Sequence, residues 1–140
     1  MPSSRAREAP SHNIYIVSAK SFTLRVSYSH HARVGHNVKS RAAITDILYN
    51  RIMDEVGGSA SYGIDLCTGG LAFVIGNLIQ KGAQADNGTL VTFGAEGLGN
   101  SLNRLYVVNN TMANDRVRGG GSPECGSPLR SCACGERRPR

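Results

Sequence analysis

An Asn recurs along this chain in a fixed context, after an apolar or turn residue and two positions before an apolar side chain. In the three copies Asn50 is followed two positions later by Ile52, Asn77 by Ile79, and Asn110 by Met112. A second set of apolar positions, formed by Val38, Ile64 and Val91, is interleaved with the first at a nearly constant interval. This interval lies within the range of about 20 to 50 residues that is the signature of repeat architectures, in which one unit stacks on the next.

The composition of each repeat indicates whether the chain forms an α-solenoid or a β-solenoid. An α-solenoid needs about 34 to 47 residues and two amphipathic helices per repeat. Here the apolar segments are short, rich in Ile, Val, Leu, Thr and Tyr, and separated by Gly and Asn, which is typical of strands and turns. The sequence therefore predicts an all-β fold, a right-handed parallel β-helix (solenoid) of about three to four coils. Each coil is expected to hold three strands, an Asn-containing turn and one longer loop.

The recurring Asn has a physical role in such a fold. Its short side chain tolerates the left-handed backbone conformation and bonds to nearby main chain, which suits a sharp bend between strands. Coils stack about 4.8 Å apart, so successive Asn amides can bond to one another. We therefore expect Asn50, Asn77 and Asn110 to form a ladder. The loop that begins at Asp54 is expected to be solvated, because Glu55 and two glycines follow it.

Proline marks the limits of the predicted domain. Pro10 and Pro123 flank a stretch without proline, as expected where almost every backbone N–H joins a ladder. We assign residues 13–116 to the β-helix and residues 1–12 to a disordered N-terminal segment. Residues 117–140 lack periodicity and contain Cys, Gly, Pro and Arg, so they are predicted to be a disordered basic tail.

The positive charge lies mainly at the two ends of the chain. The net charge of the whole sequence is +6, while residues 14–115 hold eight Lys/Arg and seven Asp/Glu. Basic ends contact nucleic acid nonspecifically, but no aromatic stacking platform or helix-turn-helix pattern accompanies them. We therefore expect no specific nucleic-acid partner.

No metal or cofactor is predicted. The cysteines of the tail, Cys125, Cys132 and Cys134, lack the spacing of a zinc site. His30 and His31 are expected on opposite faces of a strand, which separates them as ligands. Calcium is the alternative, but it would need several clustered carboxylates, and only Asp65 and Glu96 are expected on one face.

Targeting signals are also missing from the sequence. The first twelve residues are not followed by the apolar run of a secretory signal peptide. No apolar stretch is long enough to cross a bilayer, and no membrane partner is expected. The sequence alone leaves the localisation open.

Six runs of the chain carry a resemblance: residues 11–16, which include His12-Asn13-Ile14-Tyr15, and residues 27–30, 35–42, 61–66, 69–70 and 105–111. Together they resemble bacterial right-handed parallel β-helix proteins of the pectate-lyase-like superfamily. Within that superfamily the chain is most similar to a group of exported proteins of unsettled activity, so the resemblance implies fold more than function. Those proteins are usually longer and begin with a signal peptide, so the resemblance implies a truncated copy of an exported (periplasmic or extracellular) protein.

The resemblance also implies where a working groove would lie, along one parallel sheet. If Val38 and Ile64 point inward, Lys39, Arg41 and Asp65 point outward, with Lys39 and Asp65 on neighbouring coils. Two cations and a carboxylate suit an acidic polysaccharide, whose eliminative cleavage needs a neutralised carboxylate, a base and an acid.

The candidate catalytic residues are therefore Lys39 and Arg41. Lys39 would act as the base, and the charge of Arg41 would lower the pKa of Lys39. The Lys39-Ser40 pair is weakly similar to the Lys-Ser of the chondroitinase B and alginate lyase group. His36, Asp65 and Glu96 are the candidate substrate-binding residues. The alternative is an ordinary cross-strand ion pair between Lys39 and Asp65.

Three functions remain open at this point. The chain binds, and as a lyase also cleaves, an acidic polysaccharide; or it is a noncatalytic surface or scaffold solenoid; or it is a nonfunctional truncated remnant. The groove is expected to be poor in aromatic residues for sugar stacking, which favours binding or a remnant over catalysis. Terminal coils without caps would expose strand edges and promote self-association through the ends.

Overall fold

The computed structural model describes residues 9–116, and all regular secondary structure in that range is β-strand. No helix in that range is long and apolar enough to span a membrane. Each strand is three to five residues long, because Gly, Asn and short polar turns interrupt the apolar runs at that spacing. The twelve strands are β1 (Ile14–Ile16), β2 (Ser21–Arg25), β3 (Tyr28–His30), β4 (His36–Ser40), β5 (Ile44–Leu48), β6 (Arg51–Met53), β7 (Tyr62–Leu66), β8 (Leu71–Ile75), β9 (Leu78–Lys81), β10 (Val91–Phe93), β11 (Arg104–Val108) and β12 (Thr111–Asn114).

The strands form three parallel sheets, and each coil contributes one strand to each sheet. Sheet one has the order β1-β4-β7-β10, sheet two β2-β5-β8-β11, and sheet three β3-β6-β9-β12. Val38 is in register with Ile64, and Ile64 with Val91, as the sequence period predicts. The prediction of an all-β parallel β-helix is confirmed, with four coils, numbered 1 to 4 in chain order.

Apolar columns fill the interior. Val38, Ile64 and Val91 are at most 3% exposed, and they belong to one cluster with residues from the other two sheets. The inward positions repeat at every second residue of each strand, so successive coils bury equivalent side chains. The buried members of the other sheets are Ile47, Ala72 and Val74 of sheet two and Ile52 and Ile79 of sheet three.

The predicted Asn ladder is confirmed. The side-chain Nδ2 of Asn50 donates to Oδ1 of Asn77 (3.0 Å), and Nδ2 of Asn77 donates to Oδ1 of Asn110 (2.9 Å). The same two oxygens accept the backbone N–H of Asn50 (2.8 Å) and of Asn77 (2.9 Å). In coil 1 the equivalent position is Ser27, whose N–H donates to Oδ1 of Asn50 (3.0 Å). The ladder thus links all four coils.

The left-handed backbone conformation lies one residue earlier than expected. Among the residues with positive φ, Val26, Tyr49, Gly76 and Asn109 each lie immediately before a position of the ladder. The ladder Asn residues therefore contribute their amide hydrogen bonds, and the left-handed conformation falls on the residue before each of them. Val26, with φ of 50°, is the most strained of the four because its side chain is β-branched.

The loop that begins at Asp54 differs from the prediction, because Asp54 is fully buried. Asp54 follows Ile52 by two residues, and Lys81 follows Ile79 by two, so both side chains continue the inward column of sheet three. Lys81 Nζ lies 3.2 Å from Asp54 Oδ2, and both side chains are 0% exposed. We call these two residues the inner ion pair. Glu55 is the first residue of the loop that contacts solvent.

The ordered part of the chain begins before residue 13. Ser11 forms bridges with Arg33 and Val34, and the ring of His12 stacks on His36. The predicted disorder of residues 117–140, and of the first eight residues, lies outside the described part of the chain.

Candidate functional site

Sheet one carries a polar column on its outer face. Tyr15 of β1 is in register with Lys39 of β4, Lys39 with Asp65 of β7, and Asp65 with Thr92 of β10. Because these positions follow the inward positions by one residue, their side chains leave the interior. The predicted neighbourhood of Lys39 and Asp65 is confirmed, with Lys39 Nζ 3.5 Å from Asp65 Oδ2.

Glu96 reaches this column from the loop that follows β10. Its two carboxylate oxygens contact Lys39 Nζ (2.6 Å) and Arg41 Nη2 (2.5 Å). The backbone N–H of Glu96 donates to the carbonyl of Cys67 (2.8 Å), which fixes the loop against sheet one. We call Lys39, Arg41 and Glu96 the carboxylate clamp. The side chain of Lys39 is 9% exposed, while that of Glu96 is 38% exposed.

Asp65 is the buried centre of the site. Its Oδ2 lies near Lys39 Nζ and 3.3 Å from His36 Nε2, and its Oδ1 accepts a 2.6 Å hydrogen bond from the hydroxyl of Thr92. Asp65 is 2% exposed. A buried carboxylate needs such hydrogen-bond and charge partners, and through them Asp65 fixes the positions of His36 and Lys39.

The charges of the clamp stabilise one another. Burial by itself would lower the pKa of Lys39, but the hydrogen bond to Glu96 and the charge of Asp65 outweigh it, and the pKa is raised. The hydrogen bond from Lys39 lowers the pKa of Glu96, and Arg41 adds to the effect. Lys39 is therefore a fixed ammonium, whereas the general-base role expected from the sequence needs a depressed pKa.

Three rings stack beside the clamp. The rings of His12 and His36 lie 4.7 Å apart, and those of His36 and Tyr62 lie 4.9 Å apart. His12 Nδ1 accepts the backbone N–H of His36 (3.1 Å), and His36 Nδ1 accepts that of Tyr62 (3.2 Å). Because Nδ1 of His36 is an acceptor, the neutral ring carries its proton on Nε2, which faces Asp65.

Stability should fall in mild acid because of His36. Desolvation lowers its pKa to about 4, although the charge of Asp65 acts in the opposite direction. The unfolded chain binds a proton near the ordinary value of about 6.5. The folded state therefore binds fewer protons, and stability present above pH 6.5 is lost as the pH falls towards 4, by about 3 kcal/mol. Urea unfolding at pH 7 and pH 5 measures the part of this loss that falls between those two values, about 2 kcal/mol.

His36→Phe is the matched variant for that experiment. It keeps an aromatic ring in the stack but removes the titrating group, so its stability should change less between pH 7 and pH 5 than that of the unmodified chain. Equal losses in the two proteins would contradict the assignment to His36.

The site has an exposed aromatic residue, although the sequence predicted a groove poor in aromatic residues for sugar stacking. The ring of Tyr15 is 36% exposed. It lies 5.4 Å from Lys39 Nζ and 5.5 Å from the guanidinium carbon of Arg41, distances typical of cation–π contacts. The clamp therefore has an exposed ring beside its two cations.

Groups that could ligate a metal lie together at the clamp. One ligand atom each from Asp65, Cys67 and Glu96 falls within 4.8 Å of the others. Lys39 and Arg41 already neutralise the two carboxylates, and burial raises the pKa of the Cys67 thiol. The three groups therefore offer a metal ion no uncompensated negative charge.

The other two histidines are placed differently from the prediction. His31 has a left-handed backbone, with φ of 56°. This turns its ring towards that of His30 instead of to the opposite face, and the two Nδ1 atoms lie 2.6 Å apart. Both residues are exposed at the end of β3, away from the clamp.

These observations define a parallel β-helix with a charged, aromatic-flanked site on the outer face of sheet one. Comparison of the chain with known protein families, with curated proteins and with solved structures gives no significant match.

All three members of the clamp were candidate site residues from the sequence, but their mutual contacts were not predicted. Glu96 was expected on the same face, but not as a bridge between the two cations. The stack of His12, His36 and Tyr62 was missed altogether. The coil period could have revealed this stack, because His36 and Tyr62 are separated by the same interval as Val38 and Ile64.

Proposed function

We propose that this chain is a pectate-lyase-like β-helix protein that binds an acidic polysaccharide along the outer face of sheet one. The carboxylate clamp carries the proposal. Lys39 and Arg41 converge on the two oxygens of a single carboxylate, that of Glu96. Charge-assisted contacts of this kind are the strong hydrogen bonds of carboxylate recognition. The carboxylate of a uronate sugar has the same chemistry as Glu96.

The charge balance supports binding of an anion at this position. Lys39, Arg41, Asp65 and Glu96 sum to zero, and Asp65 is held in place by burial. Glu96 is the exposed acid of the set, so its side chain is the one that a ligand can displace. Two cations facing one buried acid would then receive the carboxylate of the sugar, with the ring of Tyr15 beside it.

Binding is favoured over cleavage. Eliminative cleavage requires a base near neutral pH, and the raised pKa of Lys39 opposes that role. The Nε2–H of His36 faces Asp65 and its Nδ1 accepts a backbone hydrogen bond, so neither nitrogen is free to take a proton. Lys39 and Arg41 act as cations that neutralise the bound carboxylate.

A scaffold solenoid that associates through its ends is the second candidate. Within residues 9–116, apolar side chains of coils 1 and 4 are only partly buried, in contrast to the fully buried columns of coils 2 and 3. A second copy stacked on either end would bury them and pair the outer strands. The partly buried residues are Ile14, Phe22 and Leu24 in coil 1 and Phe93, Leu105, Val107 and Met112 in coil 4.

The binding proposal predicts opposite effects for two substitutions at the clamp. In calorimetric titration with polygalacturonate, Arg41→Gln should weaken binding by about tenfold or more, since a hydrogen bond between charged groups contributes about 1.5–3 kcal/mol. Glu96→Gln should strengthen binding several-fold, because it removes the resident competing carboxylate.

The control is Arg25→Gln, which removes one positive charge at an exposed position of sheet two. It should leave the affinity within about twofold at moderate salt. Equal losses for Arg25→Gln and Arg41→Gln would reduce the effect to net charge and contradict the clamp. Ultraviolet absorbance of the same mixtures, which detects an unsaturated product, is expected to stay flat.

A further inference from the structure

The inner ion pair is a second cluster of charged side chains in the described part of the chain. It lies in the interior, away from the clamp, and the proposed function makes no use of it. Lys81 Nζ and Asp54 Oδ2 are 3.2 Å apart, and both side chains are 0% exposed. Two opposite charges buried together lose the hydration of both. Transfer of one proton from the ammonium to the carboxylate turns such a pair into a neutral amine and a neutral acid.

The surroundings of Lys81 direct its nitrogen at Asp54. Nζ donates to the backbone carbonyls of Ala60 (2.6 Å) and Ser61 (3.2 Å). In the neutral amine these two carbonyls hold the two N–H groups, so the lone pair takes the third position, which faces the Asp54 carboxyl. Burial lowers the pKa of Lys81, which favours the neutral, nucleophilic form.

The surroundings of Asp54 polarise its carboxyl group. Asn37 Nδ2 donates to Oδ1 (2.9 Å), and the backbone N–H of Gly82 donates to Oδ2 (3.1 Å). Asn37 is itself fully buried and is oriented by Asn13, whose Nδ2 donates to its Oδ1 (3.2 Å). Fixed donors around a carboxyl group stabilise the negative charge that develops on oxygen during attack by a nucleophile.

We propose that Lys81 and Asp54 form an intramolecular isopeptide bond that links coil 2 covalently to coil 3. The bond between Nζ and Cγ forms, and the bond between Cγ and Oδ2 breaks. Of the three hydrogens of the ammonium, one stays on the amide nitrogen and two leave with Oδ2 as water. The charges of the ammonium and the carboxylate cancel, nothing is oxidised or reduced, and no co-reactant is needed.

Two physical effects favour the amide at this place. Groups held in contact react with effective concentrations of about 10⁵–10⁸ M, far above the concentration of water that drives hydrolysis. The site also excludes solvent, because Asp54 and Lys81 are fully buried between neighbouring coils. The product would cross-link coils 2 and 3 at the point where β6 ends and the longer loop begins.

Intact-mass spectrometry of the purified full chain tests the proposal. The expected mass is that of the sequence minus one water molecule, and after proteolysis the peptides that contain Asp54 and Lys81 are expected as one branched species. A folded chain with the full sequence mass, or unlinked peptides, would overturn the proposal. So would a loss of water that maps to another residue, such as a succinimide, which is removed by mild alkali while the amide persists.

Variants check the assignment. Lys81→Met should restore the full mass, calculated for its own sequence, whereas Lys20→Met, at an exposed lysine, should retain the loss of water. Persistence of the loss in Lys81→Met would also overturn the proposal. Because the peptide map of the unmodified chain decides the question by itself, the test does not depend on the folding of Lys81→Met.

Discussion

Replacing Lys81 by Met is expected to destabilise the protein by about 3–5 kcal/mol, the range observed when one partner of a buried ion pair is removed. The substitution leaves the carboxylate of Asp54 in the interior without its cation, and it also removes the proposed isopeptide cross-link. A domain of ordinary stability has about 5–15 kcal/mol in total, so the variant should lose a large share of its stability and unfold at a lower urea concentration. Urea unfolding followed by far-ultraviolet circular dichroism measures the loss.

Two controls separate this effect from the loss of any lysine. Lys20→Met, at an exposed position, should change stability by less than about 0.5 kcal/mol. The double variant Asp54→Asn with Lys81→Met removes both charges and should recover part of the loss, since a neutral amide needs no cation. A loss under about 1 kcal/mol in Lys81→Met alone would contradict the buried geometry.

Asn77→Ala is expected to have the next largest effect, about 2–5 kcal/mol. Asn77 Oδ1 accepts the backbone N–H of Asn50, and its Nδ2 donates to the carbonyl of Ile47 (2.8 Å). Removing the amide takes one hydrogen bond from the carbonyl of Ile47 and leaves the backbone N–H of Asn50 without its side-chain acceptor in the interior. Each buried unpaired group costs about 1–3 kcal/mol. Hydrogen exchange should show the largest loss of protection at Asn50.

Asn87→Ala is the matched control for the ladder. The side chain of Asn87 accepts one local hydrogen bond, from the N–H of Thr89 (2.9 Å), and it lies outside the ladder. Its replacement should cost less than about 1 kcal/mol. If Asn77→Ala and Asn87→Ala were equally mild, the ladder would not be a source of stability.

The sequence alone was enough to predict the architecture. The coil period, set by Val38, Ile64 and Val91, placed the strands of sheet one in register. The recurring Asn predicted the ladder, because one turn of the coil must bring equivalent side chains within hydrogen-bond distance. Alternation along β4 and β7 brought Lys39 next to Asp65.

Alternation would also have found the inner ion pair. Asp54 and Lys81 lie one coil period apart, and each follows an inward Ile by two positions. The sequence analysis treated Asp54 as a loop residue because Glu55 and two glycines follow it. In the structure the inward alternation of β6 continues to Asp54, because the backbone N–H of Asp54 donates to the carbonyl of Gln80 (3.1 Å).

Other features depend on contacts that no local pattern encodes. Glu96 joins Arg41 from a distant part of the sequence, through a loop whose path is set by backbone bonds to Cys67 and Thr68. At the start of β4 strict alternation fails. His36 and Lys39 both contact Asp65, while Asn37 bonds to the interior carboxylate of Asp54. A period of two predicts neither arrangement.

The most direct test of the proposed function compares polygalacturonate with its fully methyl-esterified form in calorimetric titrations of the unmodified chain. The two polymers share a backbone and differ in the charge of the carboxyl group, which is the group that Lys39 and Arg41 contact in Glu96. The clamp predicts binding of the acid form and a loss of at least about tenfold for the ester. Equal affinity for the two polymers, or no binding of the acid form by the folded chain, would contradict it.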